Sequence, residues 1–255
     1  MTEIYTPGNA DVPVGNIVKK ADEDVGDPGT DKDVGDPDAD GDVGDPGRAF
    51  QPVREWYSRG YLPHRDAPRL IQSVTYRLAD SLPQEKLKLL CDELVGLADD
   101  RAEIERRKRI EEWLDAGLGC CALGHPEVAH FVQKSWLRFH GERYHLHAWC
   151  VMPNHVHVLV EPQRPLSVVV QGWKSFTARW ILRQNQRLAL RIPEENRLWM
   201  REYWDRFIRN AEHYRNVVEY IHRNPVKAGL CCQPEDWPWS SANAKFRNAR
   251  ERRRP

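Results

Sequence analysis

The stretch that most constrains this chain lies between Tyr144 and Val160. Tyr144-His145-Leu146-His147-Ala148-Trp149-Cys150-Val151-Met152 is followed by Pro153-Asn154 and then by His155-Val156-His157-Val158-Leu159-Val160. β-branched and aromatic residues fill both runs, and Pro-Asn is turn chemistry, so the pattern predicts two strands joined as a hairpin. Side chains at i and i+2 of a strand share a face. His155 and His157 therefore project together, while Val156, Val158 and Val160 fill the opposite side. Two imidazoles on one strand face supply two of the three donors of a facial metal site. His145 and His147 repeat the spacing one strand earlier, so on spacing alone a pair of half-buried sheet histidines is the reading to prefer.

The rest of the body supplies partners for that hairpin. Residues 70–78 alternate, with Ile71, Ser73, Thr75 and Arg77 opposite Leu70, Val74, Tyr76 and Leu78, and read as a further strand. Residues 84–114 carry Leu87, Leu89, Leu90, Leu94, Leu97, Ile104, Ile110 and Trp113 at helical spacing, which predicts one or two amphipathic helices. Further helices are expected over 126–139 and 166–186. In the second of these Leu166, Val169, Val170, Trp173, Thr177, Trp180 and Ile181 line the apolar side, leaving Lys174, Arg179 and Arg183 for solvent or phosphate. A last helix is expected over 210–223, capped by Asn210 and stopped by Pro225. This order of elements predicts an α+β fold with an antiparallel sheet.

On the last helix Tyr214, Val217, Val218 and Ile221 fall within one arc and define the core side. Tyr220 lies about 110° from the centre of that arc. Asn224 falls beside it four residues on, with His213 and Asn216 nearby. Tyr214 thus reads as structural and Tyr220 as displayed. Asn224 precedes a proline, so its backbone is expected to leave the helix there.

Charge divides the chain in two. Of 38 Lys+Arg and 38 Asp+Glu, residues 1–48 hold 4 and 13, which leaves 34 and 25 for the remainder. A basic body with an acidic arm points toward nucleic acid or another polyanion. The arm repeats Val25-Gly26-Asp27-Pro28, Val34-Gly35-Asp36-Pro37 and Val43-Gly44-Asp45-Pro46, and has no aromatic residue between Tyr5 and Phe50. Gly- and Asp-rich nine-residue repeats invite comparison with calcium-binding β-rolls. Three proline-broken repeats bury too little to offset their ordering entropy, so a disordered acidic tail is expected. No apolar run approaches the roughly 20 residues of a membrane helix. The N-terminus lacks signal-peptide regions, and a cytoplasmic location is expected. Six cysteines, two pairs of them adjacent, lack the spacing of zinc knuckles and read as reduced thiols.

Met152-Pro153-Asn154-His155-Val156-His157-Val158-Leu159-Val160, followed by Tyr220-Ile221-His222-Arg223-Asn224-Pro225-Val226-Lys227-Ala228-Gly229-Leu230, resembles the HUH single-tyrosine transposases. Within them it is most similar to the REP-associated tyrosine transposases of the insertion-sequence-200-like group. Supporting segments are Trp56-Tyr57-Ser58-Arg59-Gly60-Tyr61-Leu62-Pro63-His64, residues 199–209 and Asp236-Trp237-Pro238-Trp239-Ser240-Ser241. The resemblance spans roughly Trp56 to Ser241 and implies a ferredoxin-like HUH endonuclease fold over 49–241, with a helical insertion at about 84–117; it leaves uncovered the acidic tail over 1–48, and a basic tail follows over 242–255. It implies that His155, His157 and Asn224 hold a divalent metal ion, Mg or Mn, and that Tyr220 is the nucleophile.

The implied reaction is cleavage and rejoining of single-stranded DNA at REP-type hairpins through a 5′-phosphotyrosine. A metal suits the charge-shielded phosphodiester. A phenol of pKa near 10 must lose its proton on approach. No separate base is evident, so metal-bound water or the field of the cation is expected to draw it off.

Lys174, Arg179, Arg183, Arg206 and Arg209, with Arg201, alternate with Trp173, Phe176, Trp180, Trp199 and Trp204, as phosphate contacts and base-stacking rings would. The competing reading places most of these rings in the core. The tail cations Lys245, Arg247, Arg250, Arg252, Arg253 and Arg254 are either a phosphate-binding arm or a solvated terminus. Three alternatives stand beside the transposase reading: a hairpin-binding protein of this fold without turnover, a replication-initiator or relaxase relative, and a metal site with no covalent step. A monomer is expected, since the last helix can pack on its own sheet, with an exchanged dimer as the alternative. The acidic repeats are expected to mimic phosphate backbone and restrain the basic face.

Overall fold

The computed structural model describes residues 57–58, 63–64, 70–82, 84–94, 99–193 and 197–246. The acidic repeats of 1–48, most of the 56–64 motif and the cations of 247–255 lie outside the described residues. Two short strands, β1 (Tyr57–Ser58) and β2 (Pro63–His64), pair antiparallel. The main sheet contains β3 (Gln72–Arg77), β4 (Tyr144–Val151), β5 (His155–Pro162) and β6 (Trp204–Phe207) in the order β4-β5-β3-β6, all antiparallel. Helices α1 (Gln84–Glu93), α2 (Asp99–Asp115) and α3 (Pro126–Arg138) connect β3 to β4. Helix α4 (Leu166–Gln184) connects β5 to β6, and α5 (Ala211–Lys227) follows. A β-α-β-β-α-β order with the first and third strands central is the ferredoxin-like arrangement. The α+β expectation is met. The fourth strand, Trp204–Phe207, is an element that the alternation of the sequence did not disclose. No helix among the described residues is long and apolar enough to cross a membrane.

The alternation along β3 and β5 makes the two faces of the sheet chemically different. Val74, Tyr76 and Leu78 stand level with Val158, Val156 and the β5 turn, and these residues are fully buried. Against them pack Val128, Val132 and Trp136 of α3 and Val170, Trp173 and Ile181 of α4. Buried aromatic heteroatoms need partners. Trp136 Nε1 donates to Tyr76 Oη at 3.1 Å, Tyr144 Oη to the Trp136 carbonyl at 2.8 Å, and Trp199 Nε1 to Thr177 Oγ1 at 3.0 Å. This two-helix layer is the main core.

The other face carries Ser73, Thr75, Arg77, His155 and His157, and α5 lies across it. Asn210 caps that helix as its sequence predicts, accepting from the His213 amide at 2.8 Å. Its end departs from expectation. The helix runs through Pro225 to Lys227 and stops at Gly229, whose φ is +71°. Leu230 N–H reaches the Pro225 carbonyl at 2.8 Å and Gly229 N–H the Val226 carbonyl at 3.0 Å. That pair of bonds is a Schellman stop, for which glycine is suited because the left-handed conformation costs it nothing. Pro225 sits in the last turn, where its missing N–H removes one helical bond and the Schellman stop follows at once. Asn224 therefore stays on the helix, contrary to the reading from the following proline.

The predicted helical insertion is the pair α1 and α2, which bury Leu82, Leu90, Ile110 and Leu114 in a small core of their own, with Trp113 and Trp204 packed on it. Its far end returns to the sheet. Lys227 of α5 donates to Asp115 Oδ2 at 2.7 Å, and Asn154 of the hairpin turn donates to the Leu114 and Leu118 carbonyls at 3.1 and 3.0 Å.

Candidate active site

The site is built where the start of β5 meets the last turns of α5. His155 and His157 are one pleat apart and 1% and 2% exposed. Their Nε2 atoms stand 3.0 Å from each other, with the rings at 85°. Register holds them: Arg77 stands opposite His155, and Thr75 opposite His157. Thr75 Oγ1 lies 2.8 Å from His157 Nδ1, and Asn154 Oδ1 lies 2.8 Å from His155 Nδ1. Each imidazole is thus gripped at Nδ1 and turned so that Nε2 faces the other ring. From α5, Asn224 Nδ2 comes within 3.1 Å of His157 Nε2. Tyr220, one turn earlier, sets its ring against His157 at 5.4 Å between centroids and 78°. The structure brings together His155, His157, Asn224 and Tyr220.

Electrostatics keep His155 in the form that offers a lone pair. Burial pushes His155 down to about 3, and the Lys227 charge adds to the effect, so His155 is neutral at physiological pH. Beside it Arg77 is itself buried, donates to Ser81 Oγ at 3.1 Å, and is lowered to about 10 by burial. The donor set fits a divalent cation. Two ligands about 2.1 Å from one ion and at right angles stand about 3.0 Å apart, the octahedral spacing of Mg-like ions. Asn224 Oδ1 is buried with no hydrogen-bond partner, and a half-turn of its amide presents that oxygen to the imidazoles. Among the described residues no group of three His, Cys, Asp or Glu side chains is placed to hold an ion. The neutral carboxamide of Asn224 is the further polar group that lies beside the two imidazoles.

The second histidine pair does not join this site. β4 bulges between Leu146 and Ala148, and His145 is exposed with Gln163 Nε2 at 2.9 Å from its Nε2. His147 instead holds α5: its Nδ1 lies 3.1 Å from Tyr214 Oη, and Glu161 is 3.4 Å from its Nε2. Tyr214 is structural, as its place on the helix predicts.

The basic residues separate by face. Lys174 is a correction: it is buried, not left for phosphate, and donates to the Arg201 carbonyl at 2.8 Å. Its position on the inner side of α4, over the Tyr76 ring, forces it inward, and burial lowers it to about 8. Arg179 and Arg183 belong to α4 and so to the layer opposite the histidines, Arg183 exposed and Arg179 half-buried. Arg206 stands level with Ser73 on β6, hence on the histidine face, and is exposed; Arg209 follows it, also exposed. Trp173, Phe176, Trp180 and Trp199 are core residues. They hold the helical layer together and offer no stacking surface, while Trp204 packs on the insertion. Thr75 and Asn154 are the site residues that spacing did not single out. Their signal was available only as register opposite His157 and as adjacency to His155.

A family model described as transposase, IS200-like, matches residues 134–224, a span that contains His155, His157 and Tyr220 and ends on Asn224. The chain is 32% identical over 98 residues to the REP-associated tyrosine transposase of Escherichia coli (strain K12), covering 38% of this chain and 54% of that protein. It is 28% identical over 99 residues to a Haemophilus influenzae protein of the same designation, covering 37% and 56%. The chain spans about half the length of the curated relatives it matches. A solved structure of a REP-associated tyrosine transposase bound to a REP hairpin aligns with a TM-score of 0.43 at 19% identity, over 76% of this chain and 88% of that one. Residues 134–224 thus match the IS200-like transposase family model, and the curated relatives that the chain resembles are designated REP-associated tyrosine transposases.

Proposed function

We propose that this protein is a metal-dependent endonuclease and strand transferase that acts on single-stranded DNA at REP-type hairpins through a 5′-phosphotyrosine. The observation that carries the reading is the convergence of two Nε2 atoms 3.0 Å apart with Asn224 at 3.1 Å and the Tyr220 ring at 5.4 Å. His155, His157 and Asn224 would hold a divalent cation, Mg or Mn, which when bound polarises a nonbridging phosphate oxygen. Tyr220 sits one turn before Asn224 on the same helix, so the group that attacks and a group that orients the phosphate share one rigid support. Tyr220 Oη forms a bond to phosphorus while the bond from phosphorus to the 3′ oxygen breaks. The phenol proton passes to solvent, and the departing 3′ oxygen takes one up. The phosphotyrosine remains a diester, so a returning 3′-hydroxyl can reverse the step and rejoin strands with no nucleotide cofactor. The hairpin substrate rests on the REP-associated designation of the relatives, and Arg206 is an exposed cation on the histidine face for its phosphates.

The test is incubation of the full chain with an end-labelled single-stranded hairpin and Mn²⁺ or Mg²⁺, followed by a denaturing gel. A covalent protein–DNA band is expected, lost on chelation and in the His155→Ala, His157→Ala double variant. Cleavage that survives both treatments overturns the metal assignment, and cleavage without a covalent band overturns the tyrosine mechanism.

A further inference from the structure

The helical insertion and the first metal-site histidine are joined through a single side chain. Asn154 occupies the turn between β4 and β5 and is fully buried. Its Nδ2 donates to the Leu114 carbonyl in the last turn of α2 at 3.1 Å and to the Leu118 carbonyl just beyond the insertion at 3.0 Å. A carbonyl oxygen can only accept, so these two bonds admit one orientation of the carboxamide. Oδ1 must then face His155, and it lies 2.8 Å from Nδ1. An amide oxygen likewise can only accept, so the proton of the neutral ring belongs on Nδ1 and Nε2 is left bare. The Leu114 carbonyl lies in the last turn of α2, accepts from Gly117 N–H at 3.0 Å, and takes Asn154 as a second donor. Asn154 thus ties that end of the insertion to the hairpin turn and orients the histidine with the same group.

We propose that Asn154 is a positioning residue, clamped by the C-terminal end of the α1–α2 insertion, which fixes His155 in the Nδ1–H tautomer and aims its Nε2 lone pair at the cation. This rests on the reading of His155, His157 and Asn224 as the cation's ligands. It also gives the insertion a function. Besides the Asp115–Lys227 pair at 2.7 Å, which ties it to the helix that carries Asn224, the insertion determines the ring orientation on β5. Both sides of the site are braced from one added element.

The test has two readouts on the full chain. In metal-free protein labelled with [¹⁵N]histidine, long-range ¹H–¹⁵N correlation at neutral pH reports which ring nitrogen of His155 bears hydrogen, the signal being assigned by its loss in His155→Ala. A protonated Nδ1 is expected; a protonated Nε2, or an equal mixture, overturns the proposal. Asn154→Ala removes acceptor and donors together, and should mix the tautomers and weaken Mn²⁺ binding, read by the free-ion EPR signal, by about 10- to 100-fold. Asn154→Asp keeps the acceptor but loses both donors, so it should retain the tautomer while lowering the unfolding temperature. A retained tautomer in Asn154→Ala, with fold verified by circular dichroism, also overturns the proposal. The two readings fail separately. Wild-type protein with Nδ1–H but no Mn²⁺ binding removes the metal site and leaves the clamp, whereas Mn²⁺ binding with Nε2–H in the free protein removes the clamp.

Discussion

Replacing Thr75 with valine removes one hydroxyl from the site and almost nothing else. Valine keeps the branched shape and the strand preference, so β3 should still pair with β5 and β6. What is lost is the acceptor 2.8 Å from His157 Nδ1. A buried ring N–H left without a partner costs about 1–3 kcal/mol. The ring can avoid that cost by moving its proton to Nε2, the atom that stands 3.0 Å from His155 Nε2, and the lone pair is then lost to the cation. Loss of such an outer partner weakens metal binding by about 10- to 100-fold, which is about 1.4–2.8 kcal/mol. Manganese titration of the full chain, read from the free-ion EPR signal, measures this directly. The accompanying loss of stability should be small, with an unfolding temperature lower by roughly 2–4 °C per kcal/mol. Thr75→Ser restores the hydroxyl and should recover affinity. Unchanged Mn²⁺ affinity in Thr75→Val would refute the argument that Nδ1 contacts orient these rings.

Three further outcomes follow from the structure and the charge pattern. Burial holds Lys174 at about 8 against an ordinary 10.5, so between those values the folded chain has released a proton that the unfolded chain retains, and stability rises with pH. The stability of Lys174→Met relative to wild type in urea unfolding should therefore fall across that window, by up to roughly 3 kcal/mol; a constant difference would mean that Lys174 titrates normally. Arg206→Ala should weaken single-stranded DNA binding and flatten the dependence of log K on log salt by about 0.7, whereas Arg183→Ala, on the opposite face, should leave both unchanged in fluorescence anisotropy. Deleting residues 1–48, which hold 13 acidic and 4 basic side chains, should tighten nonspecific DNA binding at low salt, and equal affinity would show that the acidic repeats do not screen the body.

Much of this architecture was legible because local patterning and tertiary packing agree. The β4–β5 hairpin, the apolar stripe of α4 and the cap at Asn210 each follow from residue type and spacing. Three features were not legible, each because a non-local partner decides them. Trp204–Phe207 is a four-residue edge strand whose identity depends on pairing with Gln72–Thr75. Lys174 has the composition of a surface residue but lies on the side of α4 that meets Tyr76. The end of α5 is set at Gly229, whose left-handed conformation closes the helix, and not at Pro225, through which the helix continues. The site divides in the same way. His155 and His157 are paired by strand periodicity alone, whereas Thr75 and Asn154 acquire meaning only from register and from the return of the insertion. Tyr220 and Asn224 were placed together by helical spacing, and their approach to the histidines required the packing of α5 on the sheet.

The most direct test of the central claim is to identify the residue that carries DNA. The full chain is incubated with a single-stranded hairpin and Mn²⁺, the adduct is digested with nuclease and protease, and the modified peptide is sequenced by mass spectrometry. The account predicts a nucleotide attached through its 5′-phosphate to Tyr220, and no adduct in Tyr220→Phe. Attachment to Tyr214 or any other residue, or an adduct that persists in Tyr220→Phe, would contradict it.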